Sequence, residues 1–234
     1  MPAPERDTVR PVRDGLAIAV ATGLVGVVFG VLASAEGLST AKTCAMSLLV
    51  FTGATQFAAV SIVGTGGSVL AAVGTGVLLA SRNALYGPLV ARWFRRWPLG
   101  GKVGLVQIVI DESTGVGASQ PDSSEIDTPA ARRGFLAAGI GIYLCWNVGT
   151  LIGVLGGSAL GRPEDLGLDA AFPAAFLALL VPHVRTQPGR AAALFGAGIA
   201  LVAIPVLPTG LPILVAGLGA IPAARWWADE RPGP

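Results

Sequence analysis

Four stretches of this sequence carry no charged residue: between Asp14 and Glu36, Lys42 and Arg82, Arg133 and Arg162, and Arg190 and Arg225. Each is long enough for the roughly 20 apolar residues that one helix needs to cross a bilayer. Inside hydrocarbon every backbone N–H and C=O must be satisfied within the protein, which leaves helices or closed barrels. Uninterrupted apolar runs, rather than alternating ones, select helices. Only 13% of the residues are charged, against about a quarter in soluble domains. The chain therefore reads as an all-α, polytopic membrane helix bundle of about 6–8 transmembrane segments, some broken or re-entrant. A polar tail (1–14) precedes one transmembrane domain (15–224), and a second polar tail follows (225–234). The first apolar run has no small-residue cleavage site and reads as an anchor.

The segments expected are 15–35, 43–64, 68–90, 103–119, 134–157, 168–184, 190–206 and 208–224. Basic residues fall in the N-terminal tail, in RWFRRWPLGGK (92–102), at Arg132 and Arg133, at Arg185 and Arg190, and at Arg225 and Arg231. If all are cytoplasmic, an even number of crossings separates each neighbouring pair. The last three regions obey this. The first three do not, because three segments separate the tail from 92–102 and one separates that loop from Arg132. Either 43–64 and 103–119 fail to cross, or the tail lies outside. Gly53 and GTGG (64–67) could break the first of these segments, and the second is short and carries two acids. A faint internal echo joins 26–53 to 149–182, each a glycine-studded helix, a short polar link and a small-residue run. Repeats of this kind are common in secondary transporters.

The 33 glycines and 17 prolines suit close helix packing and helix breaks. Within GATQFAAVSIVGTGG (53–67), Gln56 is a polar amide in an apolar run. At helical spacing it shares a face with Thr52. It serves either as glue between helices or as part of a substrate site beside an unwound turn at Gly53, where freed N–H groups could hold a carboxylate. In ASRNALYGP (80–88), Arg82 is either an interfacial anchor with Tyr86 or an inward-facing partner for a carboxylate. Asp111 and Glu112 in VGLVQIVIDESTGVGAS (103–119) are either solvated at the surface or intramembrane acids able to carry a proton. His183 reads as interfacial, and Trp93, Trp97, Trp226 and Trp227 as an aromatic belt. Cys44 and Cys145 read as free thiols, with no cofactor or metal expected. No nucleotide-binding, hydrolase or zinc motif is present, so the chain does not read as an enzyme. A passive channel for small solutes is the alternative to a transporter. A lipid-modifying enzyme would need Asp111 or Glu112 as base beside a basic pocket, which RWFRRW could supply.

Several of these motifs occur together, in order, in one family. GLST followed by MSLLVFTGATQF (46–57), LLASRNALYGPLV (78–90), IDES (110–113) and LGLDAAFPAAFLALL (166–180) resemble the AzlC family, the large subunit of two-component branched-chain amino-acid exporters. The resemblance covers about residues 14–224. It departs at Asn83, where the family commonly has histidine, and at Ile110, where it usually has threonine. It implies a multi-pass protein of the bacterial inner membrane that exports branched-chain and similar hydrophobic amino acids. It also implies a small AzlD-type partner subunit and coupling to proton movement. On this reading Thr52, Gly53, Gln56, Arg82, Asn83 and Tyr86 bind substrate, and Asp111 and Glu112 couple protons.

Overall fold

The computed structural model describes residues 10–121, 123–157, 170, 173–174, 177, 180–181 and 183–229. Every regular element among them is helical: α1 (Arg10–Ala35), α2 (Thr40–Leu49), α3 (Ala54–Gly64), α4 (Val69–Trp93), α5 (Leu99–Val106), α6 (Asp111–Ala118), α7 (Pro129–Gly157), α8 (Gln187–Ala203), α9 (Leu211–Ala216), a 3-10 turn (Gly217–Gly219) and α10 (Ala220–Asp229). Three are long and apolar enough to cross a membrane: Pro11–Ala35, Val69–Trp93 and Pro129–Gly157. The all-α membrane bundle read from the sequence is the fold observed. Much of the expected segment 168–184, and most of the second copy of the internal echo, lie outside the described residues.

Two segment boundaries change in an informative way. The segment at 43–64 is two helices, α2 and α3, separated at 50–53, where Gly53 takes φ 56°. The segment at 103–119 is also two helices, α5 and α6, separated at 107–110. Both are the segments that parity had offered as non-crossing, the alternative being an N-terminal tail outside. The chain forms two compact units, Met1–Thr52 with Ala80–Gly161, and Gly53–Leu79 with Arg162–Pro234.

The first unit is built on α1 and α7. Lipid is as apolar as a leucine side chain, so the attraction between these helices comes from close packing, which small residues permit. A Cβ added at Gly15 would meet Ala138 N at 2.7 Å, one at Gly23 would meet Cys145 Cβ at 2.9 Å, and one at Gly26 would meet Trp146 O at 2.7 Å. Gly30 sits against Thr150 and Gly153. On α7, Gly141 faces Ala19, and Gly149 and Gly153 face the α1 backbone at Gly23 and Val27. The α1 residues recur at three- and four-residue steps and so share one face. Contact positions rise together along both helices, so α1 and α7 are parallel and start at the same end of the unit.

That end also holds the basic loop. Asp127 pairs with Arg96 at 3.2 Å and with Arg132 at 4.0 Å, and its N–H donates to Arg92 O at 3.0 Å. Trp93 Nε1 donates to Ser123 O at 2.8 Å. Trp93 is fully buried and packs with Phe94 and Phe135 in a cluster that includes Val90, Leu105, Ile108 and Ala131. This corrects the belt reading for Trp93: its ring is core, because Gly117 and Ala131 leave room for it.

Arg92–Arg96 and Arg132 thus lie at one end of the unit, and α5–α6 leaves from and returns to it. Each of these helices has 8 residues, about 12 Å, less than half of a roughly 30 Å hydrocarbon layer. The hairpin therefore enters and turns back without crossing. α1 carries the chain from this end to the far one, and the short hairpin answers one half of the parity conflict, because 103–119 does not cross.

The second unit contains α3, the first turns of α4 and helices α8–α10. Ile62, Ala71 and Ala72 form its buried cluster, with Leu211 against it. Gly210, at φ 91°, turns the chain into α9 where a Cβ would meet Ala71 at 2.9 Å.

Candidate functional site

The tip of the re-entrant hairpin interrupts the helical hydrogen-bond ladder and leaves backbone groups for side chains to meet. Ser113 satisfies two of them: its Oγ donates to Ile108 O at 2.6 Å and accepts from Ile110 N at 3.2 Å. Gln107, at the same tip, donates through Nε2 to Leu48 O at 2.8 Å. Leu48 lies in the last turn of α2, whose carbonyls have no helical partner. The Tyr143 hydroxyl donates to the same oxygen at 3.2 Å, and its ring packs edge-on against Phe51 at 5.0 Å. Tyr143 is close to the middle of α7. One half-helix reaches inward from each end of the unit, and they meet there.

A polar seam runs through this meeting point. On α7, Tyr143, Asn147 and Thr150 follow one another at helical spacing. Ser47 Oγ donates to Thr150 Oγ1 at 3.1 Å, with both residues buried. Asn147 Nδ2 donates to Tyr143 O at 2.7 Å, while its buried Oδ1 has no partner among the described residues. Sequence reading missed Ser47, Gln107, Tyr143, Asn147 and Thr150. Uncharged polar residues of these five types give no signal singly, and the spacing on α7 was the clue available.

The charged part of the site is an ion pair. Arg82 Nη1 lies 2.9 Å from Asp111 Oδ2, with 31% and 27% of the two side chains exposed. Asp111 opens α6, where the positive end of the helix dipole favours a carboxylate. Its other oxygen, Oδ1, is buried without a partner among the described residues. Tyr86, one turn beyond Arg82 on α4, presents its hydroxyl to the same carboxylate. Glu112 is half-buried and within charge range of both partners. Thr114 is 4% exposed, and its Oγ1 also has no partner among the described residues. Asn83 is half-buried, about 100° round the helix from Arg82.

Of the residues expected from sequence, then, Arg82, Tyr86, Asp111 and Glu112 come together. Thr52 is not on a helical face with Gln56, because α3 starts only at Ala54; it lies in the break, with its buried Oγ1 unpartnered among the described residues. Gly53 and Gln56 belong to the second unit. There Gly53 precedes α3 with a left-handed φ that frees the first turn, and Gln56 is fully buried. Thr55 Oγ1 donates to Gly76 O at 3.4 Å. The cations of RWFRRW do not flank the acids: Arg92 and Arg96 engage Ser124 and Asp127 instead. Among the described residues no group of His, Cys, Asp and Glu could hold a metal.

A family model described as AzlC protein matches residues 17–160, which includes the whole of this site. The chain belongs to the AzlC family. This AzlC member is 31% identical over 209 residues, 88% of each chain, to a protein of Archaeoglobus fulgidus described as an uncharacterized membrane protein. It is 26% identical over 201 residues to the inner membrane protein YgaZ of Escherichia coli, covering 83% of this chain and 82% of that one. No solved structure matches. The family and its relatives make this a membrane protein with a role in membrane transport.

Proposed function

We propose that this AzlC protein is the large subunit of a secondary transporter that exports branched-chain or other hydrophobic amino acids across the inner membrane. A small AzlD-type subunit is its partner, and the proton motive force drives it. The observation that carries this reading is the Arg82–Asp111 pair at the tip of a re-entrant hairpin. Ionisable groups within a membrane protein's interior are costly and mark transport pathways, and broken half-helices near the midplane are where secondary transporters hold substrate. A guanidinium suits an α-carboxylate, a carboxylate suits an α-ammonium, and the half-helices that meet here come from opposite ends. Glu112 and Asp111 are the groups proposed to exchange protons. Because Arg13, Arg96 and Arg132 share one end, that end is cytoplasmic by the positive-inside rule. The test is efflux of preloaded radiolabelled leucine from cells making this chain, with and without the small subunit, and with a protonophore in parallel. Efflux that needs the subunit and stops with the protonophore supports the reading. Unchanged efflux of leucine, valine and methionine removes it.

A further inference from the structure

Arg82 and Asp111 already neutralise each other. Each is about two-thirds or more buried, and the pair sits between helices rather than in bulk water. Removing one partner from such a pair leaves an uncompensated charge in a poorly solvated place, which costs far more than the pair gains. A solute carrying only a carboxylate would take Arg82 and orphan Asp111. A solute carrying only an ammonium would take Asp111 and orphan Arg82. A solute carrying both replaces one ion pair with two, and no charge is stranded. Asp111 has an acceptor, Oδ1, that is buried with no partner among the described residues, and Thr114 Oγ1 is in the same condition one turn along α6. The site is therefore built with polar capacity beyond what the closed pair consumes.

We infer that Arg82 and Asp111 bind solute by exchanging partners, so that the site selects zwitterions with one free carboxylate and one free ammonium and rejects solutes of either net charge. This rests on the export reading for the site but adds a rule of selection by charge balance. That rule is independent of the side chain transported.

The test is calorimetric titration of the purified full-length chain with leucine, leucinamide and N-acetylleucine at about pH 6.5, where an α-amino group is protonated. The wild type should bind leucine at least about tenfold more tightly than either derivative, equivalent to about 1.4 kcal/mol. Asp111→Asn strands Arg82, so it should gain affinity for N-acetylleucine. Arg82→Gln strands Asp111, so it should gain affinity for leucinamide. A purely structural role for the pair would give no such crossover. Should a single variant fail to fold, the double variant Arg82→Gln/Asp111→Asn strands no charge and should bind all three ligands alike. Equal binding of the three ligands by the wild type overturns selection by charge and leaves the export reading standing. No leucine binding and no crossover in the variants overturns both.

Discussion

Gln107 Nε2 donates to Leu48 O at 2.8 Å, and this bond joins the tip of the α5–α6 hairpin to the inner end of α2. The two residues are far apart in sequence, and both belong to broken segments. One carbonyl left over by a half-helix is satisfied by a side chain that another break has freed. Because the elements enter from opposite ends of the unit, this contact lies where the two half-helices meet. Gln107→Leu should lower thermal stability by about 1 kcal/mol, with Tyr143 retaining the second donation to Leu48 O. Combined with Tyr143→Phe, the carbonyl loses both donors, and the cost should rise to about 1–3 kcal/mol. Detergent-solubilised unfolding curves measure both, and a double variant no worse than Gln107→Leu alone would refute the shared role.

The Arg82–Asp111 pair should be worse to break than to remove. Asp111→Asn should cost about 1–2 kcal/mol, discounted for partial exposure, because it strands Arg82. Arg82→Gln/Asp111→Asn should recover part of that loss while leaving efflux abolished. A double-mutant cycle on unfolding midpoints reads the coupling directly.

Ser113 is fully buried and serves the two backbone groups exposed by the turn at the hairpin tip. Ser113→Ala should cost about 1–3 kcal/mol, the penalty for unmet buried polar groups. The expected signature is a lower unfolding temperature with efflux reduced in step. A variant as stable as wild type would show that water satisfies the tip.

Packing between α1 and α7 tolerates no added bulk. Gly26→Val places a branched side chain against Trp146 O, where even a Cβ would lie at 2.7 Å. Destabilisation of at least about 1–3 kcal/mol follows. Gly104→Ala meets nothing within 4 Å and serves as the matched control. Yield of monodisperse protein on size-exclusion chromatography separates the two.

The re-entrant hairpin has a topological consequence. Single cysteines at Lys102 and Ser124, in a background lacking Cys44 and Cys145, should react with a membrane-impermeant maleimide from the same side. One at Glu36 should react from the other side. Labelling of Lys102 and Ser124 from opposite sides would mean that α5–α6 crosses.

Charge-free runs alone determined that this chain is a helical membrane bundle, because hydrocarbon permits no other use of so many consecutive apolar residues. The distribution of arginines went further. It left two possibilities, an N-terminal tail outside or two segments that do not cross, and Gly53 and the acids of 103–119 marked which segments those would be. Single residues of unusual cost, Arg82 and Asp111, were legible as candidates because a charge in an apolar run has few bland explanations. Their pairing was not legible, since α4 and α6 meet only after the hairpin folds back. Nor were Ser47, Gln107, Tyr143 and Asn147, which are unremarkable residues until two half-helices bring them to one point. Trp93 was misread for the same reason: a tryptophan beside arginines looks interfacial in sequence, and only packing against Phe135 and Gly117 makes it core. Hydrophobic pattern is a local property and survives in one dimension. The matching of an orphaned carbonyl or a stranded charge to its partner depends on which ends of which helices meet, and only the tertiary structure decides that.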